Sequence, residues 1–242
     1  MAYDYIGLVN DINRRLNEVE LTTANFATAT GYYSFAKDAV NQAIRHIQQE
    51  EYEWPWNHVE ENEILSIGVA RYSIPHDAKT INMNSFRIKR DANLNVETIK
   101  LKVLSYEEYL DKYADSEYNS INALPQYVIR TPSRELIFYP KPNKAYEVVY
   151  EYYRNGYDLE LYNDVPNLPE QYRYVIVDGA MYNVYQFRGD MQAAQLAFDK
   201  FQQGIKQTTN TTRPFRVFVQ VINNDSAPSS QRHSKRFIMF TV

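Results

Sequence analysis

The 242-residue chain contains no cysteine. That excludes disulfides, thiolate metal sites and cysteine nucleophiles together, and it suits a protein that works both inside a cell and outside one. Glycine is scarce, with 7 copies in 242 residues, or about 3% where about 7% is usual. No two glycines lie close enough to build a phosphate-cradling loop, and neither G-x-x-x-x-G-K-[ST] nor G-x-S-x-G occurs. No run approaches the roughly 20 consecutive apolar residues of a membrane helix. The start, Met1-Ala2-Tyr3-Asp4-Tyr5, lacks the basic segment and apolar run of a secretory signal. The expectation is a soluble protein, made and used in a cytoplasm, with no membrane partner.

Histidine is also rare. His46, His58, His76 and His233 each lack a second histidine at ligand spacing, so they read as structural or solvated residues. The acidic runs Glu50-Glu51-Tyr52-Glu53 and Glu60-Glu61-Asn62-Glu63 read as solvated or channel-lining charge. Asp158, Glu160 and Asp164 are spaced for no specific calcium loop, though a weak cation is conceivable there. Glu107 and Glu108 are a poor carboxylate pair, because adjacent residues on a helix point apart. No catalytic residue, cofactor site or metal site is expected, and the chain reads as a non-enzyme.

The composition, 44% hydrophobic and 23% charged, is that of a globular protein with a sizeable core. Tyrosine is abundant, with 22 copies. The simplest reading places them on sheet faces; the other places them in subunit contacts, where a large apolar body with a polar tip is useful. Charge is uneven. From Lys206 to Val242 there are six basic residues and one acid, Asp225, a net of +5, which leaves −9 for residues 1–205 within the total of −4. An acidic body with a basic tail points to a partner.

Periodicity predicts helices over 3–20 (stripe Tyr5, Leu8, Val9, Ile12, Leu16) and 34–49 (Ala36, Val40, Ala43, Ile44, Ile47), joined by a loop at 21–33. Trp54-Pro55-Trp56 ends the second, with the two indoles plugging a junction. Short β segments follow: a hairpin from 64–67 and 70–74 around Gly68-Val69, strands at 81–89 and 98–104, and a hairpin from 126–130 and 135–139. A last strand covers 146–153. A short helix from Ser105 to about Lys112 carries an N-cap serine and Glu108 at the capping-box position. Pro169 opens a helix over 170–188; Gly189 stops it and Asp190 caps another, running to about Gln207. The fold class is α+β, a helical bundle (1–56 and 168–207) interrupted by an antiparallel β module (57–167), with an extended C-terminal arm (208–242). Trp54, Trp56 and Pro169 mark the junction of bundle and module. In the arm, residues 216–222 alternate as a strand would. Arg213, Phe215, Arg216, Phe218, Arg232, Lys235, Arg236, Phe237 and Phe240 combine positive and apolar character. Such a mixture fits single-stranded nucleic acid or an acidic protein surface. The acidic body would repel a phosphate backbone, which favours the protein.

Several features in order resemble the phage head-to-tail adaptors, the group that includes the tail tubular protein A of short-tailed phages. They run from the helix ending in Trp54-Pro55-Trp56 through Tyr72-Ser73-Ile74-Pro75, Ser105-Tyr106-Glu107-Glu108-Tyr109 and Pro125-Gln126-Tyr127-Val128-Ile129. They continue through Leu136-Ile137-Phe138-Tyr139-Pro140-Lys141-Pro142 and Tyr146-Glu147-Val148-Val149-Tyr150-Glu151-Tyr152 to Leu168-Pro169-Glu170-Gln171-Tyr172, with Gly179-Ala180 in the helix that follows. The resemblance covers roughly 34–208, and the long arm departs from its core pattern. It implies a virion neck protein, assembled in the host cytoplasm as a ring of usually twelve copies below the portal protein. That ring would join capsid to tail and line the channel for passing double-stranded DNA, without sequence-specific binding. The next tail component, a nozzle or tail tube, would assemble on it, and tail fibres are a further candidate contact. Alternatives are a carbohydrate- or receptor-binding tail module, suggested by the Tyr- and Trp-bearing β segment, or another neck or tail ring protein.

Overall fold

A computed structural model of the chain describes residues 2–89, 98–116 and 121–212. They form an α+β fold of five α-helices and two four-stranded sheets.

Helices α1 (Tyr5–Arg15), α2 (Tyr32–Glu50), α4 (Arg173–Phe187) and α5 (Met191–Thr212) make the bundle. Asp4 caps α1, its carboxylate accepting from the Gly7 amide at 2.9 Å. The apolar stripes of α1 and α2 bury Tyr5, Leu8, Val9 and Ile12 against Ala36, Val40, Ile44 and Ile47. The central element is α4, packed against α1, α2 and α5. It therefore buries Val175, Ile176, Val177, Ala180, Met181 and Val184 around much of its circumference and has little amphipathic period. The turn to α5 uses Gly189 at φ +77, and the Asp190 carboxylate accepts from the Ala193 amide at 3.0 Å.

Helix α4 meets α5 closely at Gly179. A Cβ there would lie 2.6 Å from the ring of Phe201, which is buried against α4. In a free helix Gly→Ala gains about 1 kcal/mol, but overpacking a rigid ring costs about 1–3 kcal/mol. Gly179→Ala is therefore expected to lower the melting temperature despite the better helix former. A rise would show that Phe201 yields.

The first sheet is antiparallel, in the order β1 (His58–Leu65), β8 (Tyr146–Arg154), β3 (Ala78–Lys89), β4 (Thr98–Lys100). The second is mixed, in the order β2 (Arg71–Ser73), β7 (Glu135–Tyr139), β6 (Tyr127–Arg130), β5 (Lys102–Leu104), with β5 and β6 parallel. The two sheets share one core. Phe86 stacks on Tyr150 with ring centroids 4.6 Å apart and reaches Phe138 of the second sheet at 6.2 Å, with Leu65, Val128, Leu136 and Val148 around them. The far face of the second sheet, Ile129 and Ile137, is covered by α3 (Tyr106–Lys112) through the fully buried Tyr109. Ser105 caps α3, its hydroxyl accepting from the Glu108 amide at 3.1 Å.

The structure corrects several expectations. Residues 64–74 do not form a hairpin, because β1 and β2 belong to different sheets. Gly68, at φ +73, turns the chain between them, its amide donating to the Pro142 carbonyl at 2.8 Å. Residues 98–104 are two strands, one in each sheet, parted at the buried Leu101. Helix α1 stops at Arg15, with Asn17 left-handed at φ 56. Pro169 precedes a 3-10 turn at Glu170–Tyr172 instead of α4 itself. Helix α5 continues past Gln207 to Thr212. Thr208, Thr209, Thr211 and Thr212 each donate a hydroxyl hydrogen bond to the carbonyl four residues back, at 2.8–3.0 Å, which satisfies them within the helix.

Candidate functional site

Titratable side chains are the first place to look for chemistry, and here they are engaged structurally. His46 Nε2 lies 3.1 Å from Glu50 on the same helix, and His58 lies 3.7 Å from Glu151 across the sheet. His76 is exposed, and His233 lies outside the described residues. Glu108 pairs with Lys112 at 2.7 Å. Asp158 is clamped by Arg45, whose guanidinium holds its carboxyl below the usual carboxylate range. Asp164 accepts from the Glu160 and Leu161 amides at 2.7 Å each, forming a loop turn. Among the described residues no group of three or more His, Asp or Glu is placed to hold a metal.

Three buried tyrosines and the half-buried Tyr3 make an unusual set. Burial pushes the phenols of Tyr3, Tyr5 and Tyr150 well above their ordinary range. That of Tyr152 is raised to about 12 by burial and by Asp77, which accepts from it at 3.2 Å. A pKa raised in the folded state favours the folded chain below the unfolded phenol value of about 10 and withdraws that stability as pH climbs above it. Melting temperature is expected to fall steadily above about pH 10, and Tyr152→Phe to flatten the slope. An unchanged slope would show that Tyr152 titrates normally.

The junction residues sit where the chain leaves and re-enters the bundle. Trp54 is fully buried, stacks on half-buried Trp56 with centroids 4.5 Å apart, and donates its indole N–H to the Ile47 carbonyl at 2.8 Å. Trp56 in turn meets Tyr172 at 5.8 Å, just beyond Pro169. The two crossings are stitched together by the Asn167 amide donating to buried Asn57 at 2.6 Å. Lys79 of β3 donates to the Gln48 and Glu51 carbonyls at the end of α2, where a cation also opposes the helix dipole.

Exposed apolar side chains are grouped. The loop at 155–165 presents Tyr157, Leu161, Tyr162 and Val165. It is held in place: its carbonyls at Tyr162 and Asp164 accept from the Ile6 and Tyr5 amides of α1, at 3.0 and 2.8 Å. Buried Asn41 of α2 grips Leu159 from both sides. At the β end, Ile64, Ile67, Val69 and Ile121 are exposed, the last at 89%. On the helices, Tyr174, Phe187, Met191 and Leu196 are exposed. Ordered loops and element ends that present large apolar residues are typical of surfaces meant to be covered. Sequence reasoning missed these surfaces because their residues have no common period. Of the tyrosines it considered for contacts, Tyr52, Tyr157, Tyr162 and Tyr174 are exposed, whereas Tyr109, Tyr146, Tyr150 and Tyr172 lie in cores. The arm residues Arg213, Phe215, Arg216, Phe218, Arg232, Lys235, Arg236, Phe237 and Phe240, and the strand pattern at 216–222, lie outside the described residues.

No curated protein matches the chain. A family model described as SU10 adaptor protein matches residues 3–218, which takes in the bundle, both sheets and the beginning of the arm.

Proposed function

This chain belongs to the SU10 adaptor protein family, a family of phage head-to-tail adaptors, and from that premise we propose that it assembles as a ring below the portal, joining capsid to tail. The family match over residues 3–218 carries the reading. Twelve copies are the expected number, by resemblance. In this reading the helices of 1–56 and 168–212 pack side by side around the channel, and the β module of 57–167 meets the next tail component. The exposed apolar groups at 155–165 and at the β end are the surfaces a ring and a tail would cover. The net −9 of residues 1–205 gives a wall that repels DNA phosphates and lets the duplex pass. The basic, apolar-ended arm clasps the portal. A glycan-binding role finds little to stand on, since Trp54 is fully buried and Trp56 is stacked upon it.

Co-sedimentation with the purified portal ring, followed by electron-microscope class averages, tests this. The truncation belongs after Thr212, because Thr208 is buried and a cut at Gln207 would damage α5. The full chain is expected to add a ring of matching symmetry, and the chain ending at Thr212 to keep its melting temperature while losing the portal. Failure of the full chain to bind would remove the portal-joining role. Undiminished binding by the truncated chain would remove the clasp.

A further inference from the structure

Strand β1 presents an open edge. Its eight residues pair with β8 on one side, and among the described residues no strand pairs with the other. The remaining sheet edges, β2, β4 and β5, are three residues each. A long unpaired edge is a template for another strand, and proteins that leave one open either guard it with charge or fill it on assembly. Here the charge is all negative. Glu61 and Glu63 lie opposite Tyr150 and Val148 of β8, so their half-buried carboxylates border the sandwich core. Glu60 is exposed on the other face. Among the described residues no cation pairs with any of the three, and burial together with Glu61 raises the Glu63 carboxyl above its ordinary range. Such an edge repels a copy of itself and selects a basic strand.

The chain holds one sequence of that description outside the described residues. Residues 216–222 read Arg-Val-Phe-Val-Gln-Val-Ile, with β-branched residues alternating. Arg213 and Arg216 precede or open the segment, and no acid occurs before Asp225. Were this segment a strand, Arg216 would share a face with Phe218, Gln220 and Ile222, and that face would offer both a cation for the glutamates and apolar side chains for the core margin. We propose that the open edge of β1 is completed by residues 216–222 of a second copy of this chain, which adds as a fifth strand and links neighbours around the ring. This rests on the proposed ring, which sets copies side by side. It leaves Arg232, Lys235, Arg236, Phe237 and Phe240 to reach the portal. The three residues 213–215 span at most about 10 Å, so the donor's α5 must end close beside the acceptor's β1.

The absence of native cysteine makes the test direct. Full-length Asn62→Cys and Val219→Cys variants, both on the face turned away from the glutamates if the strand adds as proposed, are prepared separately, mixed, and oxidised, both concentrated alone and bound to portal rings. Asn62 is exposed, so the substitution spares the fold. A disulfide-linked dimer is expected from the mixture and from neither variant by itself. It is expected to vanish when Asn62→Cys also carries Glu61→Lys and Glu63→Lys, and to return in part when its partner carries Arg216→Glu. Absence of linkage in samples that form rings on the portal would overturn the inference and leave the adaptor role standing. Absence of both ring and linkage would overturn the two together. If the double variant Asn62→Cys/Val219→Cys closes only within single chains, the occupant is the chain's own arm and the proposed exchange is wrong.

Discussion

Trp54→Ala is expected to lower stability by about 3–5 kcal/mol, the range for removing a fully buried tryptophan. For a domain of this size that is a fall of roughly 10 °C in melting temperature. Three losses coincide at this one side chain. Its indole leaves a cavity between the end of α2 and the helices that return at Leu168 and Tyr172. Trp56 loses the ring on which it stacks. The Ile47 carbonyl, one of the last four of α2, loses the Trp54 indole that donates to it at 2.8 Å. Trp54→Phe separates these effects: it keeps most of the apolar volume and drops the donor. Losing that hydrogen bond alone should cost about 1 kcal/mol, so the phenylalanine variant is expected much nearer the parent than the alanine variant. Thermal and urea unfolding measure both. A Trp54→Ala protein within a degree or two of the parent would show that the junction is held by Asn57, Asn167 and Lys79 without it.

How much of this was legible beforehand depended on whether the information was local. The stripes of α1 and α2, the Ser105 cap, the hairpin of β6 and β7 and the stop at Gly189 all rest on residues a few positions apart, and each can be read from the sequence. The partner of β1 is β8, more than eighty positions away, and nothing between Ile64 and Ile74 reports that choice. The local turn at Gly68 pointed to a hairpin that long-range pairing overrode. The end of α5 was hidden for a different reason. Thr208 to Thr212 lack an apolar period, yet their hydroxyls bond back to the helix, so the backbone continues where the pattern stops. At the candidate surfaces, the tryptophan junction was visible because proline and indole are rare and specific. The ordered loop at 155–165 was not, because the residue that fixes it, Asn41, is a polar side chain on a helix face that otherwise reads as solvated.

That residue carries the second large effect. Asn41→Leu is expected to cost about 3 kcal/mol, since each buried backbone group left unpaired costs about 1–3 kcal/mol. The Asn41 amide donates to the Leu159 carbonyl at 2.9 Å and its oxygen accepts from the Leu159 amide at 3.0 Å, a reciprocal clasp buried in the bundle. It also donates to the Tyr5 hydroxyl at 3.2 Å, which ties the same point to α1. Leucine fills the volume but supplies neither partner, and water cannot reach Leu159 in compensation while that residue stays 2% exposed. The loop must therefore lift. Hydrogen exchange at the Leu159 amide is expected to lose its protection before the helices do. Asn41→Asp discriminates between volume and hydrogen bonding. Its carboxylate can accept from the Leu159 amide but opposes the carbonyl, and burial favours the protonated form, which can donate again, so its penalty relative to the parent should shrink as pH falls from neutral towards the unfolded carboxyl value of about 4. If the penalty is the same at both ends of that range, packing and not the clasp sets the loop. Because the loop presents Tyr157, Leu161, Tyr162 and Val165, loosening it should also weaken ring formation on the portal at a temperature where the bundle is still folded. Full ring formation by a folded Asn41→Leu protein would remove this loop from the subunit contacts and leave the β end and the helix faces to make them.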